Sequence, residues 1–141
     1  MENIDKLESG FKIKDLLLVE SSFYKTNDVT LKKETDNNFN INVEVSIKDK
    51  TIFVLEEVVV IQKFQDIEQF RFRVKMVGIF ECTGDSNITD FNEFGRINGS
   101  AIIFPYVREH ITNISLKAGL GAIILPPVNF TKISEVSTNK S

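Results

Sequence analysis

The chain has 141 residues, the length of one ordinary domain and enough to bury a core. A hydrophobic content of 42% with 12 phenylalanines excludes a disordered polypeptide. The net charge of −3 counts against nucleic acid or an anionic membrane as the main partner, since both require a basic surface. One cysteine, Cys82, permits neither an intramolecular disulfide nor a cysteine-based zinc site, and it reads as a buried apolar side chain. No basic, apolar leader opens the chain, and no apolar run approaches the length of a membrane span. The expectation is one soluble, cytoplasmic domain over residues 1–141, not inserted in a membrane, with flexible ends at 1–10 and 131–141.

In chain order, residues 11–24 predict a first strand, with Phe11 and Ile13 alternating against Lys12 and Lys14. Leu16, Leu17, Leu18 and Val19 break the alternation, so this strand is either covered on both faces or bulged. Residues 25–38 are rich in turn formers and too long for a hairpin, which predicts a crossover to another part of the sheet. Residues 39–47 alternate cleanly: Phe39, Ile41, Val43, Val45 and Ile47 share one face of a half-buried antiparallel strand. Residues 51–64 form a third strand interrupted by Glu56-Glu57, and residues 70–80 a fourth, with Arg71, Arg73 and Lys75 on its second face. Four strands followed by helix is an α+β order.

Asp90 with Glu93 three residues on resembles a capping box for a short helix toward Ile97, which Asn98-Gly99 then interrupts. Ser100 is placed to cap the main helix, residues 101–118. Its apolar stripe is Ile103, Phe104, Val107, Ile111, Ile114 and Ala118, while Ile102 and Tyr106 lie on the back. A helix apolar on two sides needs two covers, and one small sheet provides one. Pro105 removes a backbone donor and is expected to kink the helix without ending it. Gly119 ends it, and Leu125-Pro126-Pro127 cannot continue it.

Little here resembles catalytic machinery. His110 is the only histidine; as a general base it would need a partner, whereas as a buried or interface residue it needs one hydrogen bond. Glu56 and Glu57 point to opposite faces of a strand and make no carboxylate pair. Asp85 and Asp90 suit turn and cap roles, and Gly119-Leu120-Gly121 lacks the pattern of a phosphate loop. No catalysis, metal or cofactor is expected. Arg71, Arg73 and Lys75 read either as a solvated face that protects the sheet from aggregation or as a docking surface for an acidic partner. Phe70, Phe72, Val74 and Met76 pack under the helix. One helix cannot easily cover every strand, so the face of residues 39–47 is expected to lie open, and an open apolar face marks a binding site.

Two strings carry a resemblance. Residues 102–115, IIFPYVREHITNIS, are followed by a glycine and then by ILPPVNF at residues 124–130. The pattern resembles the SecB family of protein-export chaperones through Phe104, Pro105, Tyr106, Arg108, Ile111, Pro127, Val128, Asn129 and Phe130, with fainter correspondence back to Phe11. The resemblance implies a four-stranded antiparallel sheet with a long crossover, packed on one long C-terminal helix. It also implies a homotetramer, a dimer of dimers with the helices sandwiched between two sheets. That arrangement supplies the second cover the helix requires and places Ile102, Ile103, Tyr106, Val107 and His110 at an oligomer interface. The implied activity is ATP-independent holding of unfolded polypeptide in apolar grooves beside the crossover and second strand. Leu31, Phe39, Ile41, Val43, Val45, Ile47 and Phe130 are the client-binding residues this implies.

Two departures from the family follow. Beyond Phe130 the remaining residues are too few and too polar for the second helix that walls the groove in longer members. The export motor SecA docks, in the family, on acidic residues of the exposed sheet face. Here Glu20 keeps one acid, Tyr24 replaces another, and Arg71 and Arg73 occupy positions of a leucine and a glutamate, which counts against like-for-like docking. Some SecB-like proteins instead guard an aggregation-prone antitoxin in a toxin–antitoxin system, and that is one alternative. A non-catalytic interaction or scaffold protein is the other.

Overall fold

Strict alternation builds the sheet. In the strand Thr51–Phe64 (β3), Ile52, Val54, Glu56, Val58 and Val60 are buried on one face, and the residues that alternate with them are half-buried on the other. The computed structural model describes residues 10–27, 29, 35–83 and 90–133. Around β3 lie Phe11–Lys25 (β1), Asp36–Lys48 (β2) and Ile67–Cys82 (β4), in one antiparallel sheet of order β1-β4-β3-β2. The crossover from β1 to β2 therefore joins the two edges. β2 begins earlier than its apolar alternation, because Asp36, Asn37 and Asn38 pair with Lys63, Gln62 and Ile61 of the longer β3. The run Leu16 to Val19 is resolved as bulging: register shifts fall between Ile13 and Asp15 and between Leu18 and Glu20. Cys82 ends β4 opposite Phe11 and is half-buried rather than buried.

The helical region starts where the capping box indicates, with the Asp90 carboxylate accepting from the Glu93 amide at 3.0 Å. It does not break at Asn98-Gly99. Phe91–Glu93 (α1) passes through a π-helical turn, Phe94–Gly99, straight into Ser100–Lys117 (α2). Ser100 is thus no cap; its buried hydroxyl donates to the Gly95 carbonyl at 3.4 Å. The glycines serve close approach instead. A Cβ at Gly95 would lie 2.9 Å from Val45 Cγ1, and one at Gly99 would lie 2.9 Å from Val54 Cγ2. Across the layer, Gly78 of β4 leaves room for Ile103.

α2 buries Ile103, Phe104, Val107 and Ile111 against the sheet and leaves Ile102 and Tyr106 exposed. Pro105 lies inside it, on the exposed side. Gly119, at φ 80°, ends it in the left-handed region. The chain then folds back along the helix. Thr112 Oγ1 donates to the Ile123 carbonyl at 2.6 Å, and the Ile123 amide donates to Ser115 Oγ at 3.0 Å. By Ile133 the segment has returned to the π turn, where Arg96 Nη1 donates to the Ile133 carbonyl at 3.1 Å. Leu125 and Phe130 are buried on the way. The result is two layers: a four-stranded sheet, and a helical layer made of α1, α2 and the returning segment. Their shared core is rich in aromatic pairs, including Phe11 stacked on Phe94 at 3.9 Å.

Candidate functional site

The expected client-binding face is not open. Val43 and Val45 are buried, and Phe39 and Ile41 are half-buried against the core. Of this strand's apolar face only Ile47, 42% exposed, meets solvent freely. The cover comes from residues distant in sequence. Phe104 packs its ring 6.3 Å from Phe39 and 5.8 Å from Phe130, so the returning segment reaches β2 through α2. Gly95 seats the π turn on Val45. One helix is not the whole cover, because Gly119 turns the chain back into a second covering segment. Phe130 is itself buried, and Leu31 lies outside the described residues. What remains is a rim of Phe39, Ile41 and Ile47 above a floor of Val43 and Val45.

The five interface candidates separate into three sets. Ile103 and Val107 are fully buried under the sheet of their own chain, which corrects their placement at an oligomer interface: they belong to the sheet-facing stripe. Ile102 and Tyr106 are exposed on the opposite side of α2. His110 is half-buried, with Nε2 2.8 Å from Ser21 Oγ of β1. Further along that outer side, Pro105, Arg108, Glu109, Thr112, Asn113, Leu116 and Ile124 line a groove of about 360 Å³.

The docking candidates share the outer face of the sheet with carboxylates that already engage them. Arg71 donates through two nitrogens to Glu68, both at 3.0 Å, and the Tyr24 hydroxyl donates to the same carboxylate. Arg73 pairs with Glu57 at 2.7 Å and Lys75 with Glu20 at 3.5 Å. The hydrogen bonds from Arg71, then that from Tyr24, draw the Glu68 carboxyl down to about 2. The hydrogen bond to Glu68 in turn raises the Tyr24 phenol and the Arg71 guanidinium. The basic stripe is therefore neutralised in place, and an acidic partner would have to compete with these carboxylates. Such exposed pairs add little to stability. Beside them Phe53, Leu55 and Val77 edge a shallow depression of about 280 Å³.

Glu56 points inward, opposite Val43 on β2 and Met76 on β4, and is completely buried. Neither carboxylate oxygen has a hydrogen-bond partner among the described residues. Desolvation pushes its pKa up to about 9, so it holds its proton at neutral pH. Its inward phase with Ile52, Val54, Val58 and Val60 was readable from the alternation. Among the described residues, no group of three or more His, Cys, Asp or Glu could hold a metal ion, and no helix is long and apolar enough to cross a membrane.

Comparison with known proteins places this arrangement. The family model for SecB, preprotein translocase subunit SecB, matches residues 5–140. The protein-export protein SecB of Saccharophagus degradans is 26% identical over 133 residues, 89% of this chain and 77% of that protein. That of Burkholderia vietnamiensis is 31% identical over 133 residues, 89% of this chain and 80% of that protein. In three dimensions the chain resembles the SecB-like chaperone of Mycobacterium tuberculosis, solved in complex with a peptide from the HigA1 antitoxin. There the TM-score is 0.73 at 12% identity, covering 88% of this chain and 94% of the other, a likeness of fold.

Proposed function

Because the chain belongs to the SecB family, we propose that it is an ATP-independent holding chaperone for unfolded or non-native polypeptide, acting without catalysis or cofactor in the cytoplasm. The match across residues 5–140 carries this reading. The geometry supports it through the apolar rim of Phe39, Ile41 and Ile47 along the edge strand β2, and the family resemblance adds buried Phe130 and Leu31, the latter outside the described residues. Ile47 tests it cleanly, because its exposure makes it dispensable to the fold. The expected result is stoichiometric suppression of aggregation of a denatured client, weakened severalfold by Ile47→Glu without loss of thermal stability. Absence of suppression by the unaltered chain would count against the function; equal suppression by Ile47→Glu would count against the rim.

The alternative client is an aggregation-prone antitoxin, and the fold likeness to a chaperone holding an antitoxin peptide favours keeping it. A toxin–antitoxin pair beside the gene would point there. A scaffold protein would instead bind one folded partner and no unfolded chain. Docking on SecA is not part of this reading, since Glu20 is engaged by Lys75, and Arg71 and Arg73 occupy the same face.

Assembly completes the proposal. Ile102 and Tyr106 stand 43% and 54% exposed on the back of α2, and leaving those remaining surfaces in water forgoes on the order of 1 kcal/mol each in every subunit. Helices of different subunits packing through them would form a homo-oligomer, a dimer of dimers by family pattern. Light scattering of Tyr106→Glu is expected to show a smaller mass than the unaltered chain. An unchanged mass, or a monodisperse monomer of the unaltered chain at tens of micromolar, would remove this surface as the interface.

A further inference from the structure

The boundary between the two layers is made chiefly of apolar side chains, with the Ser21–His110 hydrogen bond at its edge. Each layer is secured within itself. β3, a central strand, is paired from Thr51 to Lys63 with β2 on one side and from Thr51 to Phe64 with β4 on the other. The helical layer is tied by Thr112 and Ser115 to Ile123 and by Arg96 to Ile133. Glu56 is buried in the boundary with both oxygens unpartnered. A buried acid without partners is tolerated as the neutral form and expelled toward water as the anion.

Among the described residues the charged groups around it provide no counter-ion, and Arg96 of the π turn is taken up by the Ile133 carbonyl. On β2 the cross-strand neighbour is Val43, and the inward positions there are Asn37, Phe39, Ile41, Val45 and Ile47. On β4 the neighbour is Met76, and the ionisable inward group is Cys82, at the far end of the strand. β1 contributes Lys25 at its opposite end, opposite Phe70. On α2, Arg108 lies with its guanidinium carbon 5.7 Å from the centre of the Phe104 ring, and His110 is held by Ser21. Lys132 of the returning segment is exposed. Burial alone then decides the state of Glu56, which accords with the direction of its pKa.

We propose that Glu56 is a proton-operated latch between the layers: protonated, it stays enclosed, and loss of its proton to solvent swings the helical layer away from an intact sheet. Separating the layers brings the carboxylate to water by breaking apolar packing, without breaking the strand ladder on either side of β3. The opened form uncovers Val43 and Val45, the floor of the proposed client site. The latch itself does not depend on the chaperone reading.

Hydrogen–deuterium exchange on the full chain, corrected for the intrinsic pH dependence of amide exchange, tests it. Between about pH 7 and pH 9, protection of amides in α2 is expected to fall roughly tenfold per pH unit, as linkage to one proton requires. Amides of β3 and β4 keep their protection over the same range. In Glu56→Gln and Glu56→Leu the α2 protection becomes flat with pH. The same pH-dependent loss in both variants overturns the latch. So does simultaneous loss from β3, β4 and α2, because that is whole-chain unfolding. Client binding is not part of the readout, so failure of the chaperone function would leave this result standing.

Discussion

Replacing Glu56 by leucine is expected to stabilise the fold at pH 7 by roughly 3–5 kcal/mol, an unusual gain for removing an ionisable residue. The native state keeps this proton up to about pH 9, whereas the unfolded chain releases it near its ordinary value of 4.5. Between those limits the unfolded state binds fewer protons than the native one. The stability tied to Glu56 is therefore fully present below about pH 4.5 and declines as pH rises toward 9, by about 1.4 kcal/mol per unit. Urea denaturation at pH 5, 6 and 7, where the closed form prevails, reads it directly. The difference between the leucine variant and the unaltered chain should widen at each step. A constant difference across that range would mean that Glu56 ionises normally in the folded protein.

Glu56 also shows what was legible in the sequence and what was not. Strand phase was legible: the alternation of residues 39–47 and 51–64, and the stripe of Ile103, Phe104, Val107 and Ile111, fall on the faces that the period assigns them. The exposure of Ile102 and Tyr106 on the back of α2 came from the same geometry. Contacts whose partners are set by folding over long sequence distances were not legible. Nothing local to Ile123 says that it will bond Thr112 and Ser115, yet those bonds lay the returning segment beside α2 and close the face of β2. Ser115, polar and beside the stripe by periodicity, is buried because its hydroxyl has both a carbonyl to donate to and an amide to accept from. The neutralised basic stripe needed the register of β3 against β4, since Glu57 and Arg73 are 16 residues apart in sequence. Asn98-Gly99 misled for the opposite reason: a local breaker signal was overridden by the space the glycine opens against Val54 and Phe80.

Phe104→Ala is expected to cost about 3–5 kcal/mol, the range for truncating a buried aromatic side chain. Phe104 is 3% exposed and stands between Phe39 of the sheet and Phe130 of the returning segment. Collapse around the resulting cavity is restricted from both sides. Phe39 is held in the β2–β3 ladder opposite Val60. Phe130 starts a short turn capped by Asn129, whose side chain accepts from the Thr131 amide at 3.1 Å. The Arg108 guanidinium loses the ring face it lies over as well. Phe39→Ala should cost less, because that ring is already half-buried at the rim. Denaturation of variant and unaltered chain at the same pH separates this loss from the proton linkage, which both share. A cost for Phe104→Ala under about 1 kcal/mol would mean that the returning segment does not rest on α2 and that the face of β2 is open after all.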